Sequence, residues 1–375
     1  MPCKLAIPTM SLGHCWAGHS LDTKLDAAKS CGYQGVEVSY EDIVGVALKQ
    51  LPHLGGHHHL HHHHVGDKPL ELRFQLPPFD LRAAASTIKA MCKDRDLEII
   101  SLQPFPEYEG LIDAQEQESR FDLLLVWIGL ARALGTDLIM VPANSLPKAE
   151  VTSDLDRLAQ DFQRACDAPQ SQEDPPMHFA YEPRVSATYI DRWEYAWDLV
   201  ERVDRPGFGL CLDTFHLAAV YFGDPSSPSG CLPDGAKPLK MSMDRLVRKL
   251  GKYHHHQGHR DKVFLVQMGD ARRLDEPLYA SADCDPEQRP STTWSRDYRL
   301  FYREEPRGAF LPIREVADAI FNGVRYEGWV SLELFNKRMG CGDPNVPADL
   351  AQRGLDSWHR LTSDMGWWPP LPQPV

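Results

Sequence analysis

The feature that most constrains this chain is an eightfold recurrence of a short apolar run followed by an amphipathic stretch of helical length. The apolar runs are KLAIPT (4–9), GVEV (35–38), LEIISL (97–102), DLIMVP (137–142), HFAYE (178–182), FGLCLD (208–213), KVFLVQ (262–267) and WVSLE (329–333). The helical patterns that follow them cover 20–31, 81–95, 115–134, 154–166, 192–203, 242–250, 312–321 and 348–361. Such alternation implies parallel strands covered by helices. Eight units in 375 residues fit a closed (β/α)8 barrel, the TIM barrel of the α/β class. The competing architecture, an open doubly wound sheet, usually carries a Gly-rich first turn, and no GxGxxG follows the first run.

The expected organisation is one barrel over residues 1–365 with a Pro-rich tail at 366–375. Two segments interrupt the alternation. Residues 45–80 hold the run HHHLHHHH (57–64) and read as a surface insertion. A low-complexity loop has no fixed ligand geometry, so this run and His254–His256 are set aside as metal sites. Residues 271–310 are rich in Pro, Asp and Arg and follow the seventh strand on the side where barrels keep their active sites.

A net charge of −13 argues against a nucleic-acid partner, which needs a basic face. No stretch reaches the ~18–20 apolar residues of a membrane span. The first residues lack a charged segment followed by a signal-length apolar run, so the expectation is a cytoplasmic protein. Nine scattered cysteines, none in a CxxC pair, read as reduced thiols rather than a disulfide framework or a thiolate zinc site. A homo-oligomer is left open.

Barrel strands are covered on both faces and should be nearly all apolar, so polar residues at their ends stand out. Glu182, Asp213, Gln267 and Glu333 close the fifth to eighth runs in succession. Carboxylates crowded at one barrel mouth would repel each other and be costly to bury. A divalent cation removes both penalties, and oxygen ligands suit Mg²⁺, Mn²⁺ or Co²⁺. Each residue also has a plainer reading: Asp213 as a helix N-cap, Gln267 as a loop-backbone partner, with Asp270 as a replacement ligand. His216, three residues after Asp213, is the candidate general base. Glu37 and Gln103 end the second and third strands and are expected to line the same mouth. Arg296 is the candidate clamp for a substrate carboxylate, whereas Arg299 reads as a surface ion pair.

Several longer motifs then bring a family into view. MSLGHCWAGHS, GYQGVEVSYED, LQPFPEYEG, CLDTFH, VQMGDA, WSRDYRLFY and GWVSLELFNKRM resemble the fungal 3-dehydroshikimate dehydratases of quinate catabolism, which belong to the xylose-isomerase-like barrel superfamily. The resemblance runs from about residue 3 to residue 365, excluding the His-rich insert. It implies a metal-dependent lyase acting on a small carboxylate and forming protocatechuate. It implies metal ligands at Glu182, Asp213, Gln267 and Glu333, a histidine at His216 and an arginine at Arg296. The departure is Pro183-Arg184-Val185, where relatives tend to carry small or apolar residues followed by Trp. Three other readings compete. A sugar or polyol isomerase or epimerase would share the ligands without needing a carboxylate clamp. An abasic-site nuclease would need more histidine ligands and a basic surface. A non-catalytic ligand-binding barrel would bind without turnover.

Overall fold

Strands whose two faces are both covered have no room for polar alternation, and every residue of Gly35–Ser39, Leu138–Pro142 and Phe208–Asp213 is buried. The computed structural model describes residues 2–50, 76–168, 176–251, 262–279 and 289–367. In it the strands are β1 (Lys4–Pro8), β2 (Gly35–Ser39), β3 (Glu98–Gln103), β4 (Leu138–Pro142), β5 (His178–Glu182), β6 (Phe208–Asp213), β7 (Val263–Met268), β8 (Asp270–Ala271), β9 (Arg299–Leu300) and β10 (Trp329–Leu332). Eight of them close a parallel barrel in the order β1-β10-β7-β6-β5-β4-β3-β2, and β8 pairs antiparallel with β9 outside it. The TIM barrel expected from the alternation is therefore the fold. No helix among the described residues is long and apolar enough to cross a membrane. The eight described cysteines are all free.

The core has two layers. Ala6, Ile100, Met140, Ala180, Cys211 and Leu265 fill the barrel interior. A larger cluster lies between the strands and the surrounding helices. Short polar side chains start several helices by accepting orphan backbone N–H groups. Ser20 accepts from Thr23, Asp113 from Gln115 and Glu116, and Asp154 from Asp156.

Three helices lie where the sequence pattern showed none. Tyr40–Gln50 begins with buried Tyr40, Glu41 and Asp42, and Tyr40 stacks on Trp127 at 4.9 Å. Thr214–Phe222 is buried nearly all round, so it has no polar stripe to mark a helical period. Pro290–Asp297 sits inside the long segment after β7, with proline in its first turn. Trp294 anchors that helix, donating from Nε1 to Arg272 O at 3.0 Å and packing its ring edge-on to Phe215. The expected helix at 312–321 divides into Ile313–Asp318 and a wider π-type turn, Ala319–Val324. The His-rich run, His254–His256 and residues 368–375 of the tail lie outside the described residues.

The barrel is sewn shut where its first and last strands meet. β1 pairs with β10 from Lys4↔Trp329 to Ala6↔Ser331. Beyond the strands, Ser11 Oγ donates to Leu334 O and accepts from Leu334 N–H, both at 3.0 Å. The His14 N–H reaches Met339 O at 3.0 Å, and His19 Nε2 reaches Cys341 O at 2.8 Å. Fully buried Lys24 braces the loop after β1, with Nζ 2.7 Å from Gly13 O and 2.7 Å from Asp42.

On the other side of the mouth, Glu109 ties three units together. Its Oε1 accepts from the Asn144 N–H and the Tyr181 hydroxyl, both at 2.7 Å. Burial pushes this carboxyl up to about 7. The folded state therefore favours the protonated form. The stability linked to it is fully present below the unfolded value of about 4.3 and is lost as pH rises through about 7. Glu109→Gln keeps an acceptor for both donors and removes the titration. Urea midpoints followed between about pH 5 and pH 8 should fall with rising pH more steeply in the parent than in the variant. Parallel profiles would show that Glu109 does not titrate in this range.

Candidate metal centre

Parallel register brings the polar strand ends to one level. Pro142 pairs with Glu182, Asp213 with Gln267, and Gln267 with Ser331, two residues before Glu333. Glu37, Glu182, Asp213, Gln267 and Glu333 are each at most 3% exposed, so the mouth holds four buried carboxyl groups. Ligand atoms of Glu182, Asp213 and His216 all lie within 4.8 Å of one another, close enough to hold a metal ion.

The oxygens divide their work. Asp213 is the N-cap of Thr214–Phe222 through Oδ1, which accepts from the Phe215 N–H at 2.8 Å. Its other oxygen, Oδ2, faces the cluster. The capping role and the ligand geometry are thus compatible in one residue. Gln267 donates from Nε2 to Glu37 Oε1 and Glu333 Oε1, both at 3.0 Å, and its Oε1 accepts from Cys211 Sγ at 3.3 Å. Ser101 Oγ donates to the remaining Glu37 oxygen at 2.7 Å. Glu182 Oε1 is buried with no hydrogen-bond partner.

Arg299 does not lie on the surface as its exposed-pair reading supposed. Only 2% exposed, it runs into the cluster. Its Nη1 donates to Asp213 Oδ2 at 2.5 Å and to Glu333 Oε2 at 2.7 Å. Its Nη2 stands 2.7 Å from His216 Nε2, and Nε donates to Ser295 O at 3.1 Å. The hairpin β8–β9 and the helix Pro290–Asp297 deliver it there, two features absent from the sequence pattern. A faint signal exists: Arg299 directly precedes the apolar pair Leu300-Phe301. Arg296, one turn earlier, is exposed. Asp270 fixes a loop through Oδ1, which accepts the backbone N–H groups of Ala271 and Leu311, and it does not join the compact group of Glu182, Asp213 and His216. Gln103 is fully buried at the end of β3, and neither atom of its amide has a partner.

The electrostatics follow from burial. Desolvation, then the charge of Asp213, pushes Glu182 up to about 8. Burial likewise raises Glu37, and it holds Glu333 well above the usual carboxylate range despite Arg299. Burial opposes the charge on Arg299, but Asp213, Glu333 and Glu182 outweigh it and hold the guanidinium protonated. His216 faces a donor at each ring nitrogen: the Val185 N–H at Nδ1, 3.2 Å away, and Arg299 at Nε2. A neutral imidazole has one acceptor and the imidazolium none. Burial, Arg299 and Arg184 therefore hold His216 well below its usual value, in the neutral form. Four carboxyl groups, an unpartnered oxygen on Glu182 and a neutral histidine make a donor set that fits a hard divalent ion.

With the geometry in view, the family model described as a xylose isomerase-like TIM barrel matches residues 25–361. The chain belongs to that family. It is 45% identical over 366 residues to a 3-dehydroshikimate dehydratase of Neurospora crassa, covering 97% of this chain and 95% of that one. It is 27% identical over 323 residues to a 3-dehydroshikimate dehydratase of Pseudomonas aeruginosa, covering 84% of this chain and 36% of that longer protein. Among solved structures, a xylose isomerase-like TIM barrel/4-hydroxyphenylpyruvate dioxygenase fusion protein superposes with a TM-score of 0.64 at 22% identity, covering 99% of this chain and 45% of that one. That likeness reflects the shared fold.

Arg299→Met removes the cation shared by Asp213 and Glu333. Breaking one side of a buried pair costs about 3–5 kcal/mol, so chelator-treated variant protein should unfold at markedly lower urea concentration than the parent. An unchanged midpoint would mean that Arg299 does not hold the two carboxylates together in solution.

Proposed function

We propose that this protein is a 3-dehydroshikimate dehydratase, a lyase that removes water from 3-dehydroshikimate to give protocatechuate. The near full-length likeness to the Neurospora crassa enzyme carries this conclusion. The buried cluster of carboxylates around a neutral histidine supports it. The proposed ligands are Glu182, Asp213, Gln267 and Glu333, with Mg²⁺, Mn²⁺ or Co²⁺ as the ion. Gln267 serves in this role through its amide oxygen, which needs the amide turned from the orientation that now points Nε2 at Glu333. The bound ion would supply Lewis acidity toward an oxygen of the substrate.

The chain's own groups account for the rest. The C3 ketone makes the C4 hydrogen acidic. His216, neutral and beside the cluster, takes that proton, and the electron pair enters the C3–C4 enolate. The pair then re-forms the ketone while the C5–O bond breaks and the hydroxyl leaves with a proton as water. Loss of a C6 proton and gain of one at the C3 oxygen complete the aromatic ring. Glu37 accepts from Ser101 and Gln267 and so helps hold the Gln267 side chain at the cluster. Arg184 and Arg296, whose charges act on one another, offer positive charge for the substrate carboxylate. An isomerase or epimerase of the same family would act on substrates that give arginines at the mouth no such partner.

Purified protein supplied with 3-dehydroshikimate and each of the three ions should generate the ultraviolet absorbance of a catechol. Absence of product with all three would sink the dehydratase conclusion. Glu333→Ala should lose bound metal and turnover together, and stoichiometric metal in that variant would remove Glu333 from the ligand set. His216→Ala should keep its metal, measured by elemental analysis, and lose about 10²–10⁴-fold in kcat. Loss of the metal there would make His216 a ligand, in keeping with its place in the compact triad.

A further inference from the structure

Two residues past Glu182, a second guanidinium is held near the carboxylate cluster. Arg184 follows Pro183 at the end of β5. Its side chain leans sideways over the next strand: Nε and Nη2 both donate to Ala143 O, just past β4, at 3.0 and 2.6 Å. Both bonds lie on one edge of the guanidinium, and Nη1 makes no hydrogen bond to any described residue. Glu182, Arg296, Glu109 and Glu107 are the charges that act on it most strongly. Of these, Glu109 already spends Oε1 on Asn144 and Tyr181, and Glu182 belongs to the metal cluster. Arg296 is a like charge. Two cations close enough to act on one another are stabilised by an anion that reaches both.

The ring order shows where that anion would lie. β4 stands four places from β10 in the ring of eight, and β3 stands four places from β7. Arg184 is therefore held across the mouth from Glu333, and unpartnered Gln103 across from Gln267. In the proposed substrate the carboxylate at C1 likewise lies across the six-membered ring from C4, the carbon that His216 must reach. The backbone of the same segment touches that base, because the Val185 N–H donates to His216 Nδ1.

We propose that Arg184 receives the substrate carboxylate and gives the site its preference for carboxylated rings. This rests on the dehydratase conclusion for the identity of the substrate, though not for the presence of an anion subsite. Arg184 orients the ring by gripping one end while the metal cluster and His216 work on the other. It adds no charge to the reacting carbons, so its loss appears mainly in binding.

The test measures equilibrium binding of protocatechuate and of catechol to the metal-loaded protein by calorimetry, beside kcat and KM for 3-dehydroshikimate. The parent should bind protocatechuate about tenfold or more tighter than catechol. Arg184→Gln should reduce that preference and raise KM by about 10- to 100-fold, the range of one charge-assisted contact. Catechol affinity, metal content and kcat should change little. Arg184→Lys should restore part of the preference, since it returns the charge without the planar fork. An undiminished preference in Arg184→Gln overturns the proposal, as does equal weakening toward both ligands, which would make Arg184 only a brace for Ala143. Loss of the preference in Arg296→Gln alone would assign the carboxylate to Arg296. If the parent fails to dehydrate 3-dehydroshikimate yet prefers carboxylated rings through Arg184, the anion subsite stands and the dehydratase conclusion falls.

Discussion

Uncompensated negative charge at a buried barrel mouth is the constraint on which the site depends. Glu37, Glu182, Asp213 and Glu333 come from four strands, and parallel register brings them to one level. Each would be stable alone in water; together and dehydrated, they push one another toward protonation. The protein answers with specific partners. Arg299 spans Asp213 and Glu333, Gln267 spans Glu37 and Glu333, and the helix start after β6 takes one oxygen of Asp213. One oxygen of Glu182 is left without an answer. A site built this way is set to take up positive charge, and its rigidity comes from partners anchored on separate units of the barrel.

Much of this is legible in the sequence. A carboxylate or amide closing an otherwise apolar strand is an anomaly that a sequence displays openly, so Glu182, Asp213, Gln267 and Glu333 stood out. The eight units were legible for the same reason, since apolar runs and amphipathic stretches differ in period. Arg299 was not legible, because its burial depends on a hairpin of two-residue strands and on a helix inside a segment that reads as loop. Arg296 and Arg299 look alike in one dimension, but Arg296 ends on the outer side of the short helix while Arg299 lies beyond it, on β9, and turns in. Thr214–Phe222 has no helical signature in the sequence, because a helix buried on nearly every side loses its polar stripe. Asp213 shows the limit of choosing between plain and functional readings, since one oxygen caps a helix while the other is left facing the cluster, where it meets Arg299.

The mouth is also polarised across its width. Glu182, Asp213, Glu333 and the neutral histidine occupy the arc from β5 through β6 and β7 to β10, whereas Arg184 leans over β4 on the facing arc, which also carries Glu37 on β2. A ring with an anionic group at one end and an acidic carbon at the other matches this division. Glu109 and its partners stiffen the same facing arc by linking the loop after β3 to β4 and β5.

The stitches between the loop after β1 and the residues after β10 bear on how the chain comes into being. Synthesis proceeds from the N-terminus, so Glu182 and Asp213 leave the ribosome well before Arg299 and Glu333, which neutralise and complete their cluster. Until β10 arrives, β1 and β7 remain open edges, able to pair with foreign strands. Barrel closure and assembly of the charged mouth are thus a single late event. A chain cut short before Trp329 would be an unsealed sheet prone to aggregation rather than a weakened enzyme.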